Sequence, residues 1–196
     1  LWAFSPAEEK QAFEQFIDAM VERRQRFPDM HIYHFAPYEP AALKRLMGRY
    51  ATREEAVDDL LRNQVFVDLY AVTRQGVRCS VESYSIKRLE AFYAFRRQES
   101  LPELGRQKRH FEALLEQGEG ARAPAGMRQI VKRYNEDDCV STWALRQWLE
   151  EVRAEVVESG TEVPRPVVEA PEESEQRKER DQRIQELRER LLAGVP

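Results

Sequence analysis

Two short apolar runs, residues 30–35 and 65–69, interrupt a chain that otherwise places its apolar residues at helical spacing. Each is too short for a stable helix and rich in branched or aromatic side chains, so each reads as a buried strand. Between and around them lie helical patterns. Residues 7–27 carry Phe13, Phe16, Ile17, Met20 and Val21 on one face, and Phe27, Pro28 and Asp29 stop the helix. Ser5 caps it, Pro6 sits in its first turn, and Glu8 can reach back to an unpaired amide. Pro40 opens a helix running through Leu43, Leu46 and Met47 to Gly48. Thr52, Arg53, Glu54 and Glu55 form a capping box for another, with Val57, Leu60 and Leu61 on its apolar side. Further helices are expected from Tyr84 to Phe95, over residues 104–115, and over residues 127–149 with Val140, Trp143, Ala144, Trp148 and Leu149 in the core. Residues 1–4 read as the tail of a strand. Strands set among helices make α/β the expected class.

Composition limits the function classes. In 196 residues, 31 Lys and Arg stand against 35 Asp and Glu, so no global positive field draws nucleic acid in, and a histone-like coat is excluded. A local basic stripe with cations over the carboxylates remains compatible with that balance. Cys79 and Cys139 have no His or Cys neighbour at zinc spacing, which argues against a disulfide framework or structural zinc and for a reducing, cytoplasmic setting. No apolar run approaches the roughly 20 residues of a membrane span.

The chemistry-bearing stretch is Tyr134, Asn135, Glu136, Asp137, Asp138 and Cys139. Asp138 follows Tyr134 by four positions, which places a phenol and a carboxylate on one helix face, with Thr142 continuing it. Such a pair suits metal-assisted phosphodiester cleavage, the acid holding a hard cation and the phenol orienting water. The plainer reading is a helix start at which Asn135 caps and the acids complement the dipole. Upstream, Glu39 stands where a strand passes into a helix, beside His34 and Tyr38. Asp68, among apolar neighbours, is either a structural acid satisfied by its surroundings or a partner of the metal site. Ser85 and Lys87 form either a helix cap with a solvated lysine or a phosphate contact.

Together these segments resemble the second and third motifs of RNase H-like 3′-to-5′ exonucleases of the DEDD class, in the subgroup whose third motif carries tyrosine. That second motif usually reads Asn, three residues, an aromatic residue and Asp; here His34, Tyr38 and Glu39 occupy those positions. The acid is one methylene longer and His replaces Asn. The phrase from His34 to Leu46, with residues 66–70 and 84–89, is similar to the RNase H-like domains within bacterial RecB-type nuclease and helicase fusions. The resemblance covers residues 1–153.

The resemblance implies a mixed sheet flanked by helices and two Mg²⁺ or Mn²⁺ ions. Asp138 and Glu39 would be metal ligands, Tyr134 would position the water, and His34, Tyr38 and Asp68 would support them. Lys44, Arg45, Ser85 and Lys87 would contact nucleic acid, DNA ends above all. The family's first motif, Asp-x-Glu on the first strand, has no counterpart before Met30, so the first strands and two acids are expected upstream in a longer protein. The alternative is a scaffold or strand-guiding module that has lost its chemistry. Residues 154–171 read as a Pro-containing linker, and residues 172–196 as a charged helical extension with a thin Ile184, Leu187 and Leu191 stripe, leading to a helicase domain. The extension reads as a solvated helix or as a partner-binding one.

Overall fold

The computed structural model describes residues 1–98, 101–166, 182–184, 186, 187, 189–191 and 193. The chain forms one compact unit over Leu1–Arg165 and a second over Pro166–Pro196. In the second unit the described residues 182–184, 186–187 and 189–191 are helical, with Ile184, Leu187 and Leu191 exposed. Residues 167–181, where the linker ends and the extension begins, lie outside the described residues.

Helix α1 (Pro6–Arg26) starts as the sequence indicates. The Ser5 hydroxyl accepts from the Glu8 amide at 3.3 Å, and the Glu8 carboxylate accepts from the Phe4 amide at 2.6 Å. Strand β1 (Ile32–His34) follows, then α2 (Tyr38–Tyr50), α3 (Glu54–Arg62) and β2 (Phe66–Asp68). The strands pair in parallel, with Ile32 opposite Phe66, Tyr33 opposite Val67 and His34 opposite Asp68. Parallel neighbours need a crossover, and α2 and α3 supply it. Helix α4 (Leu69–Gly76) grows directly from β2. A single turn, α5 (Ile86–Leu89), then α6 (Leu101–Glu116), a 3₁₀ turn over Gly120–Arg122 and the long α7 (Ala125–Glu158) complete the unit.

Phe13 and Ile17 of α1 and Val57 of α3 make one buried cluster, against which Leu43, Leu46 and Met47 of α2 pack. Leu69, Leu89 and Leu145 make a second, joining α4, α5 and α7. Phe111, Ala123 and Met127 make a third. A polar seam ties α1 to the α2–α3 turn: Arg53 reaches Asp18 at 2.6 and 2.8 Å, and Arg49 and the Tyr50 hydroxyl both reach Glu9.

Several local expectations are corrected. Residues 1–4 form no strand; Trp2 stacks on Phe4, and both meet Phe111 edge-on, so aromatic packing sets their conformation. Thr52 caps nothing, because its hydroxyl is drawn across to Glu14 at 2.7 Å and the cap position falls on Arg53, whose φ is 57°. Helix α2 begins at Tyr38, two residues before Pro40. The helix expected from Tyr84 to Phe95 closes after Leu89, and Ala94 adopts a φ of 51°.

Helix α7 departs most. It begins at Ala125, so Tyr134 and Asp138 lie well inside it and Asn135 is not a cap. Val140 is 46% exposed and Trp143 is 63% exposed, while the fully inward positions are Asp137, Ser141 and Leu145. Those three are spaced by four residues, so the inward stripe here is regular, but two of its three members are polar. Trp148 and Leu149 pack against the Leu145 cluster as expected.

Leu145 is fully buried between Leu69 and Leu89. Leu145→Ala is expected to lower the unfolding free energy by about 2–5 kcal/mol, through lost burial and the cavity left behind. Urea titration with an unchanged slope would register it.

Candidate functional site

The carboxyl ends of parallel strands are where α/β folds present ligand-binding residues, since the chain leaves the sheet there into loops and helix starts. At that end His34 and Asp68 stand side by side. Asp68 accepts from the Tyr70 amide at 2.9 Å, capping α4, and from the Ala36 amide at 2.8 Å. Ala36 has a φ of 65°, a left-handed conformation that costs energy for a residue with a Cβ. Asp68 holds it there, and so does His34. Because a carbonyl can only accept, His34 Nδ1 carries the proton it gives to the Ala36 carbonyl at 2.7 Å. Buried His34 and half-buried Asp68 thus pin the turn that launches α2 and presents Glu39. Glu39 Oε2 lies 3.9 Å from His34 Nδ1 and is largely exposed. Tyr38 points outward and is 71% exposed.

Helix α7 brings the second acid. The Cys139 thiol titrates above its ordinary range, first because of burial and then because of the negative charges of Asp138 and Glu39. The charges of both carboxylates predicted as ligands are felt at that one thiol, although 99 positions separate them in the chain, from Glu39 to Asp138. Tyr134 stands one turn before Asp138.

The sequence reading missed what holds this part of α7. The Arg97 side chain is only 7% exposed and donates from Nη2 to Glu90 Oε1 at 2.6 Å and to Asp138 Oδ1 at 2.8 Å. Burial works against its charge, but the hydrogen bonds and charges of Glu90 and Asp138 outweigh it, so the guanidinium titrates above its usual value. Ser141 donates to Glu90 Oε1 at 3.0 Å. Having spent its proton there, Ser141 Oγ accepts from the Tyr93 hydroxyl at 2.9 Å. Asp137, 2% exposed, accepts from the Gln98 amide at 3.0 Å. The two adjacent acids thus divide their tasks: Asp137 anchors the loop backbone, and Asp138 faces outward with one oxygen on Arg97. The sequence signal was the doubled acid itself, one member of which must face inward on a helix this long.

Tyr134 is surrounded by cations. Lys87 Nζ lies 5.3 Å from its ring centre and 3.3 Å from its hydroxyl; Arg97 and Lys108 lie 5.8 and 5.9 Å from the ring centre. Lys87, predicted as a nucleic-acid contact, is therefore at the site. Ser85 is exposed at the start of α5 and makes no capping bond. Lys44 and Arg45 are exposed on α2, and neither contacts the site acids.

A family model described as the RNase H superfamily matches residues 3–150. The chain belongs to the RNase H superfamily. No curated protein and no solved structure matches the chain. Membership makes nucleic acid the substrate class and phosphodiester hydrolysis the reaction class that the superfamily points to. The parallel strand pair flanked by helices agrees with an RNase H-like α/β fold.

Superfamily nucleases typically use divalent metal ions. Asp138 and Glu39 offer the hard oxygen donors that Mg²⁺ and Mn²⁺ prefer. They fit in kind but not in number: among the described residues no three His, Cys, Asp or Glu side chains converge into a metal cage. Among the described residues, no helix is long and apolar enough to cross a membrane.

Arg97→Ala is expected to destabilise the fold by about 3–5 kcal/mol, because it leaves Glu90 charged, buried and unpaired. Adding Glu90→Gln should recover part of that loss, and a double-mutant cycle by chemical denaturation measures it. The Tyr93 hydroxyl is pushed up to about 12 by burial, with Ser141 opposing. Its folded-state value lies above its unfolded one, so its contribution is intact below about pH 10 and is lost as pH rises towards 12. Tyr93→Phe should flatten the alkaline fall in unfolding free energy over that window.

Proposed function

We propose that this chain forms part of a metal-dependent 3′-to-5′ exonuclease, acting on nucleic acid and by resemblance on DNA ends, within a larger nuclease and helicase polypeptide. The observation that supports the reading is that α7, which carries Tyr134 and Asp138 one turn apart, packs on β1, whose carboxyl end leads from His34 into Glu39. Asp138 and Glu39 would hold Mg²⁺ or Mn²⁺ together with the acid pair that the resemblance places upstream. A bound ion would supply a Lewis acid for the phosphoryl oxygen and lower the pKa of water. Tyr134 has the hydrogen-bonding capacity its role requires. Ammonium groups only donate, so Lys87 occupies a lone pair of the phenol oxygen and leaves the phenol proton free to orient a water. His34 and Asp68 position Glu39 through the Ala36 turn rather than touching the reaction. Lys44 and Arg45 extend the exposed basic surface of α2 beyond Glu39, and two free thiols suit a reducing cytoplasm.

One observation favours the second reading, a scaffold without chemistry: Asp138 already has a counter-ion in Arg97. The two readings separate on one assay. End-labelled single-stranded DNA is incubated with the full-length protein and Mn²⁺, comparing wild type with Asp138→Asn and Glu39→Gln. Stepwise loss from the 3′ end by wild type, lowered at least about a hundredfold in Asp138→Asn, is the expected result, about 2.7 kcal/mol of transition-state stabilisation. Equal trimming by a folded Asp138→Asn protein would remove Asp138 from the mechanism. No trimming of DNA or RNA by wild type would leave the scaffold.

A further inference from the structure

Lys87, Arg97 and Lys108 come from α5, the loop after it and α6, yet all three converge on the Tyr134 ring of α7. Like charges gathered from separate elements repel one another, and the π face of one phenol offsets only part of that. Their compensation by acids is uneven. Arg97 is neutralised by Glu90 and Asp138. Lys108 has a long contact of 3.7 Å to Glu112 one turn on, and both side chains are more than half exposed. Lys87 has no acid partner among the described residues; its ammonium contacts only the Tyr134 hydroxyl and ring. Two exposed ammonium groups therefore stand against one ring, one turn from the carboxylate.

Arg97 makes that place hospitable to an anion. A bare carboxylate at Asp138 would repel a phosphate brought this close, whereas a carboxylate paired at 2.8 Å with a buried guanidinium presents much less of its charge. Arg97 Nη1 is itself buried without a hydrogen-bond partner, so its own donors are not exhausted by the two acids.

We propose that Lys87 and Lys108, gathered on the Tyr134 ring, form a seat for a backbone phosphate of a nucleic-acid strand, with Arg97 screening Asp138 from it. The seat rests on the nucleic-acid-directed reading above and specifies how that site grips its substrate: by a phosphate, without regard to base. Lys44 and Arg45, on α2, lie outside it.

The test is binding, by fluorescence anisotropy, of the full chain to labelled single-stranded DNA and RNA of mixed sequence between about 50 and 200 mM salt. Each lysine that holds a phosphate should contribute about 0.7 to the salt slope on a single strand. Lys87→Gln and Lys108→Gln should each weaken binding several-fold for every sequence and lower the slope by about that amount, and the double variant by about twice as much. Tyr134→Phe should leave the slope unchanged, since it removes no charge and keeps the ring on which the lysines stand. Lys10→Gln on α1, an equal change of net charge, should keep the wild-type slope. Both lysines are exposed, so the variants should fold, as thermal melts will show. A wild type that binds, with a double variant of unchanged slope, would overturn the seat and leave the functional reading standing. A wild type that binds neither polymer at the lowest salt would overturn both.

Discussion

The buried ion pair of Arg97 with Glu90, extended to Asp138 on one side and to Ser141 and Tyr93 on the other, is what the lower half of the molecule is organised around. Residues 90–98 contain almost no regular structure and contribute few apolar side chains to the core. Their place against α7 is set by charged and polar contacts: Arg97 on two carboxylates, the Gln98 amide on Asp137, and Tyr93 on Ser141. Buried charge without a partner is costly, so each group in this chain of contacts fixes the next. Because Asp138 is one of them, the orientation of a carboxylate at the candidate site is decided by packing on its far side. Stability and site geometry are therefore linked through a single guanidinium.

The other half of the site is organised by a different device. Asp68 uses one carboxylate oxygen for two amides, one that starts α4 and one on the neighbouring strand's exit turn. Strand register brings His34 opposite Asp68, and the histidine closes the same turn from the other side. The strained Ala36 is tolerated because two side chains hold it, and Glu39 is placed as a result. Glu39 and Asp138 are thus placed by independent routes, one through the sheet and one through a buried network.

Legibility in the sequence followed the physics of each element. The strands at 32–34 and 66–68 and the helices around them were readable because their apolar residues repeat at the period of the structure they form. Asp68, read as either satisfied or functional, proves to be satisfied by two backbone amides. Tyr134 and Asp138 were readable as a pair by spacing, and the pattern over residues 127–149 already set them inside a helix, whereas the plainer reading of a helix start at Asn135 fails because α7 begins at Ala125. The inward side of α7 was misjudged at Val140 and Trp143 because Asp137 and Ser141 hold inward positions that hydrophobicity alone assigns to solvent. Their burial depends on partners at Glu90 and Gln98, roughly 40 or more residues away in sequence and invisible to a local pattern. For the same reason nothing in the local pattern singled out Arg97 or Lys108.

Helix α7 is 34 residues long, about 50 Å of continuous backbone at 1.5 Å per residue. Along that one axis lie Met127 in the aromatic cluster, Tyr134 and Asp138 at the candidate site, Ser141 in the polar network, Leu145 in the core and Glu150, which binds Arg165. A helix advances about 100° per residue, so inserting or deleting one position between any two of these would rotate everything beyond it away from its partner. Evolution can alter this site by substitution, but not by changing the length of α7. The helix acts as a camshaft whose lobes must keep their phase.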